Sequence, residues 1–114
     1  MSSSAELLTR EQELVALAQL SNWQILETTD IKSSQGLKRE LCRFHTFSSF
    51  ELAMDFMRQA AVVVSRLDHH PHWCNTYNRV EIRLTTFSLG NQVSDLDVKL
   101  ALAMESLLAQ SATA

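Results

Sequence analysis

"SSFELAMDFMRQAAVVVSRLDHHPHWCNTYNRVEIRLTTF", residues Ser48 to Phe87, changes its apolar period part-way along. Up to Leu67 the residues Leu52, Ala53, Phe56, Met57, Ala60, Val63, Val64 and Leu67 recur at three and four positions, the spacing of one helix face. From Val80 the period is two. Val80, Ile82, Leu84 and Thr86 face one way, and Arg79, Glu81, Arg83 and Thr85 face the other, which predicts a strand with one buried face. Ser48, with Glu51 three positions on, reads as the capping box of the helix. Pro71 disfavours helical geometry at His70, so the helix is expected to end near Asp68.

Working outward, "TREQELVALAQL" (Thr9 to Leu20) carries a second capping box in Thr9 and Gln12. Leu14, Val15, Leu17 and Ala18 are its expected buried stripe. Trp23 and Ile25, then Leu37, Leu41 and Phe44, suggest two strands joined as a hairpin by the turn-rich "KSSQG" of Lys32 to Gly36. Past Phe87, "LGNQ" turns the chain, and Ser94 with Asp97 caps a last helix. Its stripe is Leu96, Leu100, Ala101, Met104, Leu107 and Leu108. A strand around Cys74 to Tyr77 is too short to assign from pattern. The order is therefore helix, two strands, helix, one or two strands, helix. Connections this short predict an α+β fold, an antiparallel sheet with helices on one face. The face bearing Arg79, Glu81 and Arg83 is left to solvent or to a partner.

A length of 114 residues predicts one domain over 1–114, with the Ser-rich start at 1–4 and the small-residue end at 111–114 as disordered tails. An apolar fraction of 46% and a charged fraction of 20% are ordinary for a soluble globular chain. The net charge of −3, without a Lys/Arg run, argues against a dedicated nucleic-acid binder. Two cysteines and no basic-then-apolar leader favour a cytoplasmic protein with reduced thiols. No stretch approaches the roughly 20 apolar residues of a membrane span.

"DHHPHW", Asp68 to Trp73, gathers three of the four histidines around the only proline. A histidine just after a helix can simply complement the negative end of the helix dipole. A zinc site from His69, His70, His72 and Cys74 is disfavoured, because all four lie on one short segment that Pro71 stiffens. Proton transfer is the third reading. Neighbours in extended backbone point opposite ways, so His69 can address one group while His70 addresses another. Trp73 and Tyr77 offer flat walls for a planar ligand, or are ordinary core aromatics.

"DHHPHWCNTYNRVEIRLTTF" (68–87), followed by "VSDLDVKLA" (93–101), resembles the pterin-4a-carbinolamine dehydratases. The similarity extends back through "LKRELCRFHTFSSFELAMDFMRQAA" (37–61) to Trp23. The resemblance implies four antiparallel strands with three helices on one face, and homodimers or homotetramers. The implied reaction is loss of water from a 4a-hydroxytetrahydropterin to give quinonoid dihydropterin, with no metal or bound organic cofactor. It makes His69 and His70 the active-site pair and Asp97 the residue that orients a histidine. Pro71, Trp73, Thr85, Thr86 and Phe87 then surround the pterin. Expelling hydroxide from a carbon flanked by nitrogens needs an acid at the leaving oxygen and a base at a ring N–H, and imidazole suits both.

The chain departs from the family where a third histidine usually ends the strand in a Thr-His pair, because here the pair is Thr86-Phe87. A phenyl ring transfers no proton. If that histidine supplies the about 10²- to 10⁴-fold of a general acid or base, its loss costs about 3–5 kcal/mol. Phe87 is expected either to turn inward where the strand ends or to face a pocket. Ser65 stands where an acidic residue is frequent, and one extra residue separates Phe87 from Asp97. The alternative function is that of a dehydratase-like protein acting through protein partners, of the transcription-cofactor or RuBisCO-assembly type.

Overall fold

The computed structural model describes residues 5–111. Of the two tails expected to be disordered, 1–4 and 112–114 lie outside the described residues, whereas Ser111 closes the last helix.

Helix α1 spans Arg10–Gln19 and opens on the expected box: Thr9 Oγ1 accepts the Gln12 N–H, and Gln12 Oε1 accepts the Thr9 N–H. Its stripe is a correction. Leu14 and Val15 are 62% and 63% exposed and Ala18 is exposed too, whereas Leu17 packs on the core as expected, flanked by buried Glu13 and buried Leu20. Glu13 is buried because Arg39 meets both of its carboxylate oxygens, while Arg39 Nε also donates to Glu27 at 2.9 Å. An ion pair thus occupies an inward position that hydrophobic periodicity assigns to an apolar residue.

Strands β1 (Gln24–Thr29) and β2 (Leu37–Thr46) form the expected hairpin. Helix α2 covers Phe50–Leu67, one residue later than the serine pair suggested. Its cap is Ser49, not Ser48: Ser49 Oγ accepts the Leu52 N–H at 3.1 Å. That phase leaves Glu51 outside the box, in the first turn, where its charge still complements the helix dipole. Strand β3 (His72–Thr76) is the short element that pattern could not assign, and β4 (Arg79–Leu84) pairs with it. Helix α3 runs Asp95–Ser111.

The four strands form one antiparallel sheet in the order β1-β2-β4-β3. Leu41 lies opposite Leu84, and Trp73 opposite Ile82, on the face covered by helices. Ala53, Phe56, Ala60 and Val64 of α2 and Leu100, Ala101, Met104 and Leu108 of α3 complete the core. Burying a side chain as large as Ile82 or Leu84 contributes about 1.5–3 kcal/mol. Glu105 Oε1 ties α3 to the sheet by accepting from Trp23 Nε1 at 2.7 Å and Arg43 Nε at 2.6 Å. The opposite face carries alternating charge. Lys38–Glu40 (3.7 Å), Glu40–Arg83 (3.6 Å) and Arg83–Glu81 (2.5 Å) form a continuous row across β2 and β4.

Candidate active site

The histidine segment begins where α2 stops. Asp68 takes the left-handed conformation (φ 50°), and the Asp68 and His69 N–H groups close the helix on the carbonyls of Ser65 and Val64, both at 3.3 Å. Asp tolerates this region better than most residues, and the reversal swings the chain out of the helix axis. His69 is thereby carried inward, to 9% exposure, with Nε2 2.5 Å from Asp97 Oδ1 in the first turn of α3. His70 stays exposed. The two rings therefore meet different surroundings.

Asp97 is fully buried, and its other oxygen accepts from the Thr86 hydroxyl and from the Ser94 N–H, each at 2.8 Å. The ends of α2 and β4 and the start of α3 are thus bound together through one carboxylate. A buried carboxylate needs such partners, and each hydrogen bond to a charged group is worth about 1.5–3 kcal/mol.

The remaining residues divide. Continuing the β3–β4 register beyond His72↔Arg83 places His70 level with Thr85 and His69 level with Thr86. Pro71 is half-buried at the start of β3. Trp73 lies on the helix-covered face, half-buried against the core. Thr85 donates its hydroxyl to the Arg39 carbonyl at 2.7 Å. The Thr86 backbone is engaged by its own loop: its N–H donates to the Gln92 carbonyl at 2.9 Å, and its carbonyl accepts from Leu89 and Asn91 at 3.2 and 3.1 Å.

Phe87 does not turn inward. The strand ends at Leu84, Phe87 opens a single 3-10 turn (Phe87–Leu89), and its ring is 84% exposed. Tyr77 is a second correction: it stands 68% exposed in the β3–β4 turn, at the opposite end of the hairpin from the histidines. Five strand residues separate the two ends, about 16 Å of rise. His72 and Cys74 point to the open face of the sheet while His69 points to Asp97. Among the described residues no three His, Cys, Asp or Glu side chains converge as metal ligands. No helix among them is long and apolar enough to cross a membrane.

A groove of about 620 Å³ lies elsewhere, between α1 and the start of α3, lined by Leu8, Val15, Ala16, Asp95, Val98 and Lys99 among others. Neither histidine borders it.

Sequence reasoning named Thr86 for the pterin and Ser94 for the helix cap, and missed that their side chains meet each other. The Ser94 and Thr86 hydroxyls lie 2.6 Å apart beside Asp97. The Ser-x-x-Asp capping spacing signals the first, and the inward phase of the strand signals the second.

Residues 6–107 match the family model described as pterin 4 alpha carbinolamine dehydratase. The chain belongs to that family. Provisionally named pterin-4-alpha-carbinolamine dehydratases from Brucella ovis and Brucella canis are 37% identical to it over 100 residues, covering 88% of this chain and 93% of theirs. A crystal structure of a transcriptional coactivator/pterin dehydratase from Brucella melitensis superposes with a TM-score of 0.76 at 36% identity. It covers 90% of this chain and 98% of its own. The dehydratase family accounts for the four-stranded sheet, including the short β3 that pattern alone left open.

Proposed function

We propose that the protein is a 4a-hydroxytetrahydropterin dehydratase, a cytoplasmic hydro-lyase of tetrahydrobiopterin biosynthesis that works by histidine acid/base catalysis. The observation that carries this reading is the buried His69–Asp97 pair set next to the exposed His70. An imidazole held by a carboxylate and a second imidazole facing solvent suit proton transfer at two atoms of one substrate. In this reading His69 and His70 are the catalytic residues and Asp97 orients His69. Pro71, Trp73, Thr85, Thr86 and Phe87 border the pterin. Because the Thr86 amide is committed to Gln92, the contact with the pterin's donor–acceptor edge falls to the Thr85 backbone. The reaction needs no metal or organic cofactor, and the working form is a homodimer or homotetramer, since closed two-fold assemblies dominate.

Phe87 decides how far the activity extends. Exposed at the histidine end of the sheet, it stands where a side chain can reach a bound substrate without disturbing the core. Phe87→His is expected to raise the dehydration rate by about 10²-fold or more while leaving pterin affinity within about twofold, because the added group acts on the transition state. His69→Ala and His70→Ala should each lower the parental rate. A direct dehydration assay with a 4a-hydroxytetrahydropterin, paired with calorimetric titration, is the test. Absence of saturable binding at millimolar pterin would overturn the reading.

The same exposed phenyl ring favours one second reading, a protein-binding role. The Brucella melitensis relative is described as a transcriptional coactivator as well as a pterin dehydratase. An inactive parent that gains nothing from Phe87→His would leave this reading in place.

A further inference from the structure

The hydrogen bonds around Asp97 have a single consistent direction. A carboxylate only accepts, so the one proton of the Thr86 hydroxyl goes to Asp97 Oδ2, 2.8 Å away. Thr86 Oγ1 then has no proton for Ser94 Oγ at 2.6 Å, and the Ser94 hydroxyl must donate to Thr86. Ser94 Oγ in turn accepts the Leu96 N–H at 3.2 Å, and the Ser94 N–H donates to Asp97 Oδ2 at 2.8 Å. Every proton in this chain points toward Asp97. The group opposite Oδ1, His69 Nε2 at 2.5 Å, is therefore a donor as well. A neutral imidazole carries one N–H, which leaves Nδ1 unprotonated.

We infer that Thr86 and Ser94 are positioning residues that act through Asp97 to hold His69 as the Nε2–H tautomer, leaving Nδ1 as the nitrogen that exchanges a proton with substrate. The proton-exchange role rests on the dehydratase reading; the tautomer does not. The carboxylate torsion of an Asp is broad and nearly two-fold, so one contact on Oδ1 alone would not fix its plane. Two donors on Oδ2 do. Both belong to the loop between β4 and α3, which is pinned by the bridge Thr86↔Gln92 and by the bridge Leu7↔Ser94 to the segment before α1.

Long-range proton–nitrogen NMR on the ligand-free chain, at mildly alkaline pH, reads the tautomer without any need for activity. The expected result is a pyrrole-type Nε2 and a pyridine-type Nδ1 on His69. Thr86→Val keeps the shape and removes the hydroxyl, and should move both ring nitrogens toward the average of the two tautomers. Thr86→Ser should restore them. In the dehydration assay Thr86→Val is expected to lower kcat about 10- to 100-fold, as losing an outer partner of an oriented imidazole does, with KM little changed and Thr86→Ser recovering most of the loss. A parent with protonated Nδ1 and bare Nε2 overturns the inference, as does a folded Thr86→Val whose His69 signals stay put. If Thr86→Val does not fold, Thr86→Ala gives the same readings, since it too removes the hydroxyl that donates to Asp97 Oδ2. An inactive parent with the Nε2–H tautomer would sink the dehydratase reading and leave the positioning intact. An active parent with the other tautomer would sink the positioning alone.

Discussion

His45 shows how one ring can make the fold sensitive to acid. It sits edge-on to Phe47, with ring centroids 4.5 Å apart, and its Nδ1 lies 3.4 Å from Arg43 Nη2. Burial first, and the Arg43 charge second, hold its pKa below the ordinary 6.5, with Glu105 pulling weakly the other way. The unfolded chain therefore binds this proton more readily than the folded one. Its contribution is complete above the ordinary value and is lost as pH falls from there through the lowered one. Urea midpoints should drop as pH falls through and below the ordinary histidine value of about 6.5, and His45→Phe should flatten that slope. An unchanged slope in the variant would assign the effect to another group. At this scale the sequence was legible for identity and less so for direction. Asp97 stood out by its position and does reach His69. The same alternation that correctly turned Thr86 inward said nothing of where Phe87 would point once the strand had ended. That depends on the turn Phe87–Leu89, closed by Gly90 at φ 75°, and strand periodicity carries no information about it.

Helix α2 offers the sharpest test among the elements. Two adjacent serines precede its apolar run, and the capping-box rule chooses Ser48 because Glu51 follows at the right distance. The backbone chooses Ser49, which is extended (φ −152°) and whose oxygen faces the Leu52 N–H. Ser49→Ala should cost about 1 kcal/mol in chemical denaturation, and Ser48→Ala only a few tenths. The reverse ranking would restore the earlier register. Existence and type were legible for both long helices and for β4, because their periods run over several turns or residues. The short β3 was not, since five residues with burial alternating only between exposed and intermediate give little pattern. The phase of α1 failed for a different reason. Charge pairing across elements, Glu13 to Arg39, is a long-range property that a local hydrophobic count cannot contain.

At the scale of the molecule, that pair makes α1 a separately tethered layer. With Leu14 and Val15 in solvent, its hold on the sheet rests on Leu17, Leu20 and the ion pair. The Arg39 guanidinium is held above its ordinary pKa mainly by its bond to Glu13, so it is charged throughout the working range. Glu13→Ala should cost about 1–3 kcal/mol and act locally. Amide exchange in residues 10–19 is expected to accelerate while the β2–β4 amides keep their protection. Equal acceleration of both would show that α1 and the sheet open as one unit. The bridge from Leu7 to Ser94 has a consequence for synthesis. Glu6 exchanges hydrogen bonds with Asp95, at 2.8 and 3.0 Å, and Leu8 reaches Val93. A growing chain makes one side of these contacts before α1 and the other only after α2 and all four strands are complete. Until residue 97 has left the ribosome, His69 lacks its acceptor and Leu84 lacks the cover of α3. The sheet can be assembled early, whereas the His69 ring gains its partner only once the first turn of α3 has been made.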